Sequence, residues 1–339
     1  LQIFGKQVFF HETWSGSMKD FQKLIKKAKR LLHKPVEAKG ILQHAVLPIY
    51  AIVLFVILVI DISVQQYNYS NKIIPSPIYP EVSYYPILTE SLKPNISAKA
   101  AIVMDNDSKV ILFAKNPKLL FSMASTTKIM TALVAMDYYS LDDVLTVKTT
   151  GAGGITIGLK KGQRILFKDL LHAMLLPSSN DAALTLAQNY SGGEKAFINK
   201  MNEYARLLHL FNTSFADPAG LLDGEDYTTP LDLARLASIA LKNKMFAQIV
   251  ATKHKIISDV DGFNYSIFNL NKLLGIDGIN GVKTGFTDEA GEVLVTSKKT
   301  RDGHMLIAVV MNSEDRFLDT KILLNYVSGN IKYLDTHNF

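Results

Sequence analysis

Three short polar words stand far apart in this chain, and a fold that makes use of them must bring them together. They are Ser125-Thr126-Thr127-Lys128, Ser178-Ser179-Asn180 and Lys283-Thr284-Gly285. Runs with strand character lie mostly outside the span they enclose. Residues 100–104 and 110–113 flank Asp105-Asn106-Asp107 as a hairpin would, and residues 279–286, 292–298 and 305–311 read as strands near the other end. Between these groups the apolar spacing is helical. The pattern predicts helices over 125–136, up to Leu176 ahead of Pro177, over 181–190 and over 194–208, and a closing helix over 316–327. Thr229-Pro230-Leu231-Asp232 predicts a capped start with proline in the first turn, opening a helix to about Lys242. Strands at both ends with helices between them predict a mixed α/β (α+β) domain. Its antiparallel sheet would be assembled from distant parts of the chain and flanked by helices.

The chemistry of the words is specific in combination. Ser125 and Lys128 are three residues apart at an expected helix start, so their side chains share a face. A serine hydroxyl is a weak nucleophile until a neighbour takes its proton, and a lysine does so if burial brings its pKa towards neutrality. No other Ser-x-x-Lys occurs in the chain. Ser178 and Asn180 fall in a short turn after Pro177, where a hydroxyl can relay a proton and an amide can hold a peptide carbonyl. Lys283, Thr284 and Gly285 lie on an expected strand with small residues, alongside which a ligand backbone can run. Taken singly, each word has an ordinary structural reading as a cap or a strand end; the ordered set is what points to acyl transfer. The chain has no cysteine, which excludes thiol nucleophiles, thiolate metal sites and disulfides. Its eight histidines are scattered, with no His-Glu-x-x-His word, so no metal site is expected.

Charge and hydropathy divide the chain. The net charge of +6 resides in residues 1–44, which hold nine Lys/Arg against three acids; the remainder is neutral, so no nucleic acid partner is expected. This basic tail meets an apolar stretch, 45–64, charged only at Asp61 and close to the ~20 residues a helix needs to cross a bilayer. A cleaved signal peptide would require an unusually long basic leader. A signal anchor through the lipid bilayer is expected instead, with 1–44 as a cytoplasmic tail and the rest outside. Within the tail, 21–32 has the spacing of a basic amphipathic helix. Residues 65–95, rich in Tyr, Ser, Asn and Pro, read as an extended spacer, and 96–335 as the folded domain.

The three words in this order resemble the signature of the penicillin-recognising serine enzymes. The surrounding segments, Ala124-Ser-Thr-Thr-Lys-Ile-Met, Leu175-Leu-Pro-Ser-Ser-Asn-Asp, Asp217-Pro-Ala-Gly-Leu and Gly281-Val-Lys-Thr-Gly-Phe-Thr, are similar to the low-molecular-mass D-alanyl-D-alanine carboxypeptidases, peptidase family S11. The likeness extends over about residues 96–330. It implies a β-lactamase/transpeptidase-like fold and an acyl-enzyme on Ser125, formed with the penultimate D-alanine of a peptidoglycan stem peptide. Lys128 would be the general base and Ser178 the proton shuttle, with Asn180 orienting the acyl chain. Lys283 and Thr284 would bind the terminal carboxylate beside Gly285, and the N–H groups of Ser125 and Phe286 would form the oxyanion hole. The resemblance implies β-lactams as inhibitors, and no metal or organic cofactor. A DD-endopeptidase or transpeptidase would use the same groups. A class A β-lactamase would need a Glu-x-x-x-Asn word, absent between Asn180 and Lys283. A non-catalytic cell-wall binder would not need all the reacting groups.

Overall fold

A computed structural model describes residues 83–89, 92–149 and 151–336, besides the single position 57. The chain divides into two compact units after Ile74, and the fold below belongs to the second. The basic tail, the membrane anchor expected at 45–64 and most of the 65–95 spacer lie outside the described residues. Among the described residues no helix is long and apolar enough to cross a membrane.

The central sheet has five antiparallel strands. In chain order these are β1 (Ala100–Asp105), β2 (Ile111–Lys115), β3 (Ile279–Thr287), β4 (Gly291–Lys299) and β5 (Met305–Ser313). Their spatial order is β3-β4-β5-β1-β2, so the first hairpin docks beside the last strand, Ile102 opposite Val309. β1, β4 and β5 are buried along nearly their whole length. A sheet covered on both faces has no polar side to show, hence the continuous apolar runs such as Ala101-Ile-Val-Met104. The two faces still alternate in what they touch. Ile102, Met104, Val293, Val295, Ile307 and Val309 point into the main helical core, while Ala101, Val103, Leu294, Leu306 and Val310 pack beneath the closing helix.

Six helices make up the main core layer: α1 (Lys128–Tyr138), α2 (Phe167–Leu175), α3 (Asn180–Asn189), α4 (Gly193–Leu207), α5 (Pro230–Ala240) and α6 (Lys244–Val250). The seventh, α7 (Arg316–Asn330), covers the opposite face through Leu323, Leu324 and Val327. α5 starts as its residues dictate, with the Thr229 hydroxyl accepting from the Asp232 N–H at 3.1 Å and Pro230 in the first turn.

Three expectations need correction. The α-helix expected from Ser125 begins at Lys128, preceded by a 3₁₀ turn over Ala124–Thr127. Part of the expected spacer is folded: Tyr84–Leu88 forms a strand that pairs antiparallel with Ile331–Asp335 beyond α7. Proline is tolerated there because a two-stranded ribbon leaves edges free, and Pro86 lies opposite Tyr333. Finally, α6 and a hairpin of His254–Ser258 with Asn264–Phe268 occupy a stretch where the sequence pattern placed no element.

Candidate active site

The 3₁₀ turn sets the first contact. Side chains three apart eclipse in a 3₁₀ turn, and Lys128 Nζ comes to 2.8 Å from Ser125 Oγ. The turn is clamped from two sides. Ala124 is held at φ +46°, a region that disfavours residues with a Cβ. A Cβ on Gly220, itself at φ +78°, would lie 2.0 Å from the Ala124 carbonyl oxygen. One on Gly285 would lie 3.2 Å from Ala124 Cβ and 3.3 Å from Ser125 N. The two glycines thus let the 217–222 loop and β3 close directly on the nucleophile's backbone.

Lys128 is wholly buried and reaches two further acceptors, Asn180 Oδ1 and the Ala219 carbonyl, each at 2.7 Å. None of its three acceptors is a carboxylate. Burial therefore dominates and lowers the amine to about 7, against the more distant pull of Asp217 and Asp226. An amine near neutrality is a competent general base at physiological pH.

The second word forms the turn between α2 and α3. Ser178 sits at φ +67° and is 2% exposed, with its Oγ unpaired among the described residues and lining the cleft. Asn180 opens α3: its N–H donates to the Ile155 carbonyl at 2.7 Å and its Nδ2 to the Gly153 carbonyl at 2.5 Å. The side-chain amide thus bridges Lys128 and the 153–155 loop.

On β3, Lys283 is buried, and its Nζ donates to the Thr284 carbonyl at 2.9 Å. Burial holds it well below the ordinary lysine value, and the positive charges of Lys128 and Arg316 push the same way. Thr284, Gly285 and Phe286 line the cleft itself, Phe286 with an exposed ring at its rim. The cleft measures about 260 Å³ and brings together Ser125, Ser178, Asn180, Thr284, Gly285 and Phe286; Lys128 and Lys283 stand behind its wall.

Two groups escaped the sequence reading. Arg316, at the start of α7, lines the cleft and donates through Nη1 to the Gly285 carbonyl at 2.7 Å, while its buried Nε has no partner among the described residues. A cation in the first turn of a helix opposes the helix dipole, and that mismatch was the available signal. The second is the Asp217 carboxylate, which accepts from the N–H groups of Ala219, Gly220, Leu221 and Leu222 at 2.5–2.8 Å. It shapes the loop that delivers the Ala219 carbonyl to Lys128.

The family model for D-alanyl-D-alanine carboxypeptidase (Peptidase_S11) matches residues 88–315. The chain belongs to this family. It is 34% identical over 225 residues to the D-alanyl-D-alanine carboxypeptidase DacF of Bacillus subtilis, covering 64% of this chain and 57% of that protein. It is also 34% identical over 211 residues to a D-alanyl-D-alanine endopeptidase of Pseudomonas aeruginosa, covering 60% of this chain and 68% of the relative. The match to DacF therefore takes in little more than half of that relative's length. Among solved structures, the Streptomyces K15 DD-transpeptidase superposes with a TM-score of 0.67 at 34% identity, over 70% of this chain and all of that one. The mixed fold, an antiparallel sheet flanked by helices, is that of the DD-transpeptidase structures.

Proposed function

We propose that this S11 enzyme is a serine D-alanyl-D-alanine carboxypeptidase that removes the terminal D-alanine from peptidoglycan stem pentapeptides. The observation that carries the reading is the 2.8 Å contact between a buried amine near neutrality and the hydroxyl of Ser125. Neutral Lys128 takes the Ser125 proton as Oγ attacks the penultimate carbonyl. The oxyanion faces the N–H groups of Ser125 and Phe286, where a pair of fixed donors stabilises developing charge. The terminal carboxylate lies towards Thr284, Lys283 and Arg316. Ser178, with its free hydroxyl, passes the proton to the leaving D-alanine, Asn180 orients the acyl chain, and water releases the acyl group. A β-lactam opened by Ser125 would occupy the same position as an ester.

The basic tail and the apolar 45–64 stretch support a single-pass anchor in the cytoplasmic membrane, with this domain on the outer side. That topology matches a substrate in the cell wall. Equal identity to an endopeptidase favours one second reading, cleavage of a cross-link by the same groups with a longer leaving peptide.

The test is direct. Fluorescent penicillin should label the protein one to one, and Ser125→Ala should remove the label; an adduct mapped by mass spectrometry to another residue would refute the site. Release of free D-alanine from a pentapeptide, compared with cleavage of a cross-linked dimer, separates the two readings.

A further inference from the structure

The walls of the catalytic cleft continue past its rim. On one side Gly154 and Ile155 line the cleft, while Thr156, Ile157 and Gly158 of the same loop line a second groove of about 510 Å³. On the other side Leu270 lines the cleft and residues 263–267 line the groove. Two segments that border both spaces make the groove an extension of the cleft. Its loop wall is fixed to the second word: the Ile157 N–H donates to Ser179 Oγ at 3.2 Å, and those of Gly158 and Leu159 to Asp181 Oδ2 at 3.1 and 2.9 Å. The groove therefore exists before anything binds.

The far wall presents a strand edge. Five consecutive residues border the groove there, whereas the face of a strand would offer only alternate ones. In the hairpin, Ser258 lies opposite Asn264 and Ile256 opposite Ser266. The Asp259 N–H donates to the Phe263 carbonyl at 3.0 Å and the Asn269 N–H to the Lys253 carbonyl at 2.8 Å. Bonded pairs alternate with unbonded ones along an antiparallel ladder, so the backbone groups of Asn264 and Ser266 point away from the partner strand. Neither residue finds another backbone partner among the described residues. Beside this edge stands Phe263, 59% exposed, its ring 4.9 Å from that of Tyr265 at 67°. Tyr265 is itself held, its hydroxyl donating to Gln163 Oε1 at 3.0 Å. Lys160 is the one charged residue of the lining, so a cationic ligand is disfavoured.

An unpaired strand edge suits an amide, and a fixed, exposed ring suits an apolar face. An N-acetylated sugar has both: a C–H face on its ring and an acetamido group with one donor and one acceptor. Peptidoglycan carries such a sugar at the end of the stem peptide remote from the scissile bond. Four extended stem residues reach about 14 Å, and the loop from 154 to 158 covers no more than that.

We propose that the groove is a saccharide subsite, which holds the N-acetylated amino sugar bearing the stem peptide, with Phe263 against the sugar ring and the strand edge at Asn264 and Ser266 bonded to the acetamido group. The inference rests on the carboxypeptidase reading above and makes glycan-borne stems better substrates than free ones.

The experiment gives the full chain a pentapeptide ending in D-Ala-D-Ala, either free or attached to an N-acetylglucosamine–N-acetylmuramic acid disaccharide, and measures the D-alanine released. The glycan-borne form should have a kcat/KM about tenfold higher, chiefly through KM, as expected when one exposed aromatic ring is covered. Phe263→Ala should bring the ratio of the two substrates close to one. Ser266→Pro removes an edge N–H without removing a rung of the hairpin, and should lower the ratio several-fold at an unchanged melting temperature. A wild-type ratio near one, or a ratio that Phe263→Ala leaves at the wild-type value, overturns the proposal. So does an equal gain from lengthening the free peptide, which would assign the groove to peptide. The disaccharide alone supplies a readout independent of turnover. If neither substrate releases D-alanine, the carboxypeptidase reading has failed, yet magnetisation transfer from the protein to the acetyl methyl groups still judges the groove. Transfer in wild type that Phe263→Ala abolishes supports the subsite; no transfer in wild type rejects it.

Discussion

Two buried lysines flank the same cleft in opposite electrostatic surroundings. Lys128 has three neutral oxygen acceptors and two carboxyl groups within electrostatic range. Lys283 has one backbone carbonyl and two positive neighbours. Burial lowers both amines, so burial alone does not distinguish them. The neighbours do: beside Lys128 the carboxyl groups partly offset desolvation and leave the amine near 7, poised to exchange a proton with Ser125. Around Lys283 nothing offsets it, and Arg316 adds a second cation whose Nε is unpaired. Among the described residues no carboxylate acts on Lys283, whereas Glu292 and Asp315 face Arg316, and a substrate carboxylate would give Lys283 the partner it lacks. Binding such a carboxylate should raise the proton affinity of Lys283, fixing it as the ammonium.

The widest separation between the two lysines should come from removing the base. Lys128→Ala should slow acylation by about 10²–10⁴-fold, the usual worth of a positioned base. Lys128→Arg should do no better, since a guanidinium does not release its proton. Loss should be nearly equal for substrates with and without a terminal carboxylate. In the intact protein the acylation rate should rise as pH passes through about 7, where Lys128 becomes neutral. A Lys128→Ala variant that keeps the wild-type rate and acid limb would remove the amine from the mechanism.

Lys283→Ala should have a smaller and selective effect. A hydrogen bond to a charged group contributes about 1.5–3 kcal/mol, so kcat/KM for a carboxylate-bearing peptide should fall by about 10–100-fold. The corresponding peptide amide, which lacks the charge, should be turned over by variant and wild type at similar rates. Arg316→Ala should show the same selectivity. Equal losses on acid and amide would mean that Lys283 and Arg316 shape the fold and do not read the substrate.

The contrast also marks what the sequence could show. Ser125, Lys128, Ser178, Asn180 and Lys283 were legible because each lies in a short word whose internal spacing is read without knowing the path of the chain between the words. Among the described residues, the five strands of the central sheet were legible as short apolar runs between turn residues, and six of the seven helices by their helical apolar spacing. Arg316 was hidden because it comes to the cleft from the far side of the sheet, at the start of a helix that otherwise packs away from the site. The strand Tyr84–Leu88 was hidden for a different reason: its partner is at the other end of the chain, and pairing so remote leaves no local pattern. How Lys128 and Lys283 differ was not legible either, because neighbours folded in from elsewhere set each amine's charge.

The smallest effect should come from α6, a helix remote from both lysines' hydrogen bonds. Its N-cap, Asn243, accepts through Oδ1 from the N–H groups of Met245 at 2.9 Å and Phe246 at 3.2 Å. An Asn→Ala change at such a cap costs about 1 kcal/mol. Phe246, Ile249 and Val250 anchor the helix in the core, so the loss should appear as a small fall in melting temperature without local collapse. One link to the site remains, since a Cβ on Gly281 of β3 would lie 2.9 Å from the Val250 side chain. If α6 only buttresses the sheet, Asn243→Ala should leave penicillin labelling and the acid-to-amide preference at wild-type values. A drop in that preference, with labelling intact, would mean that the packing of α6 on β3 sets the position of Lys283, and would extend the carboxylate-reading end of the site by a full layer.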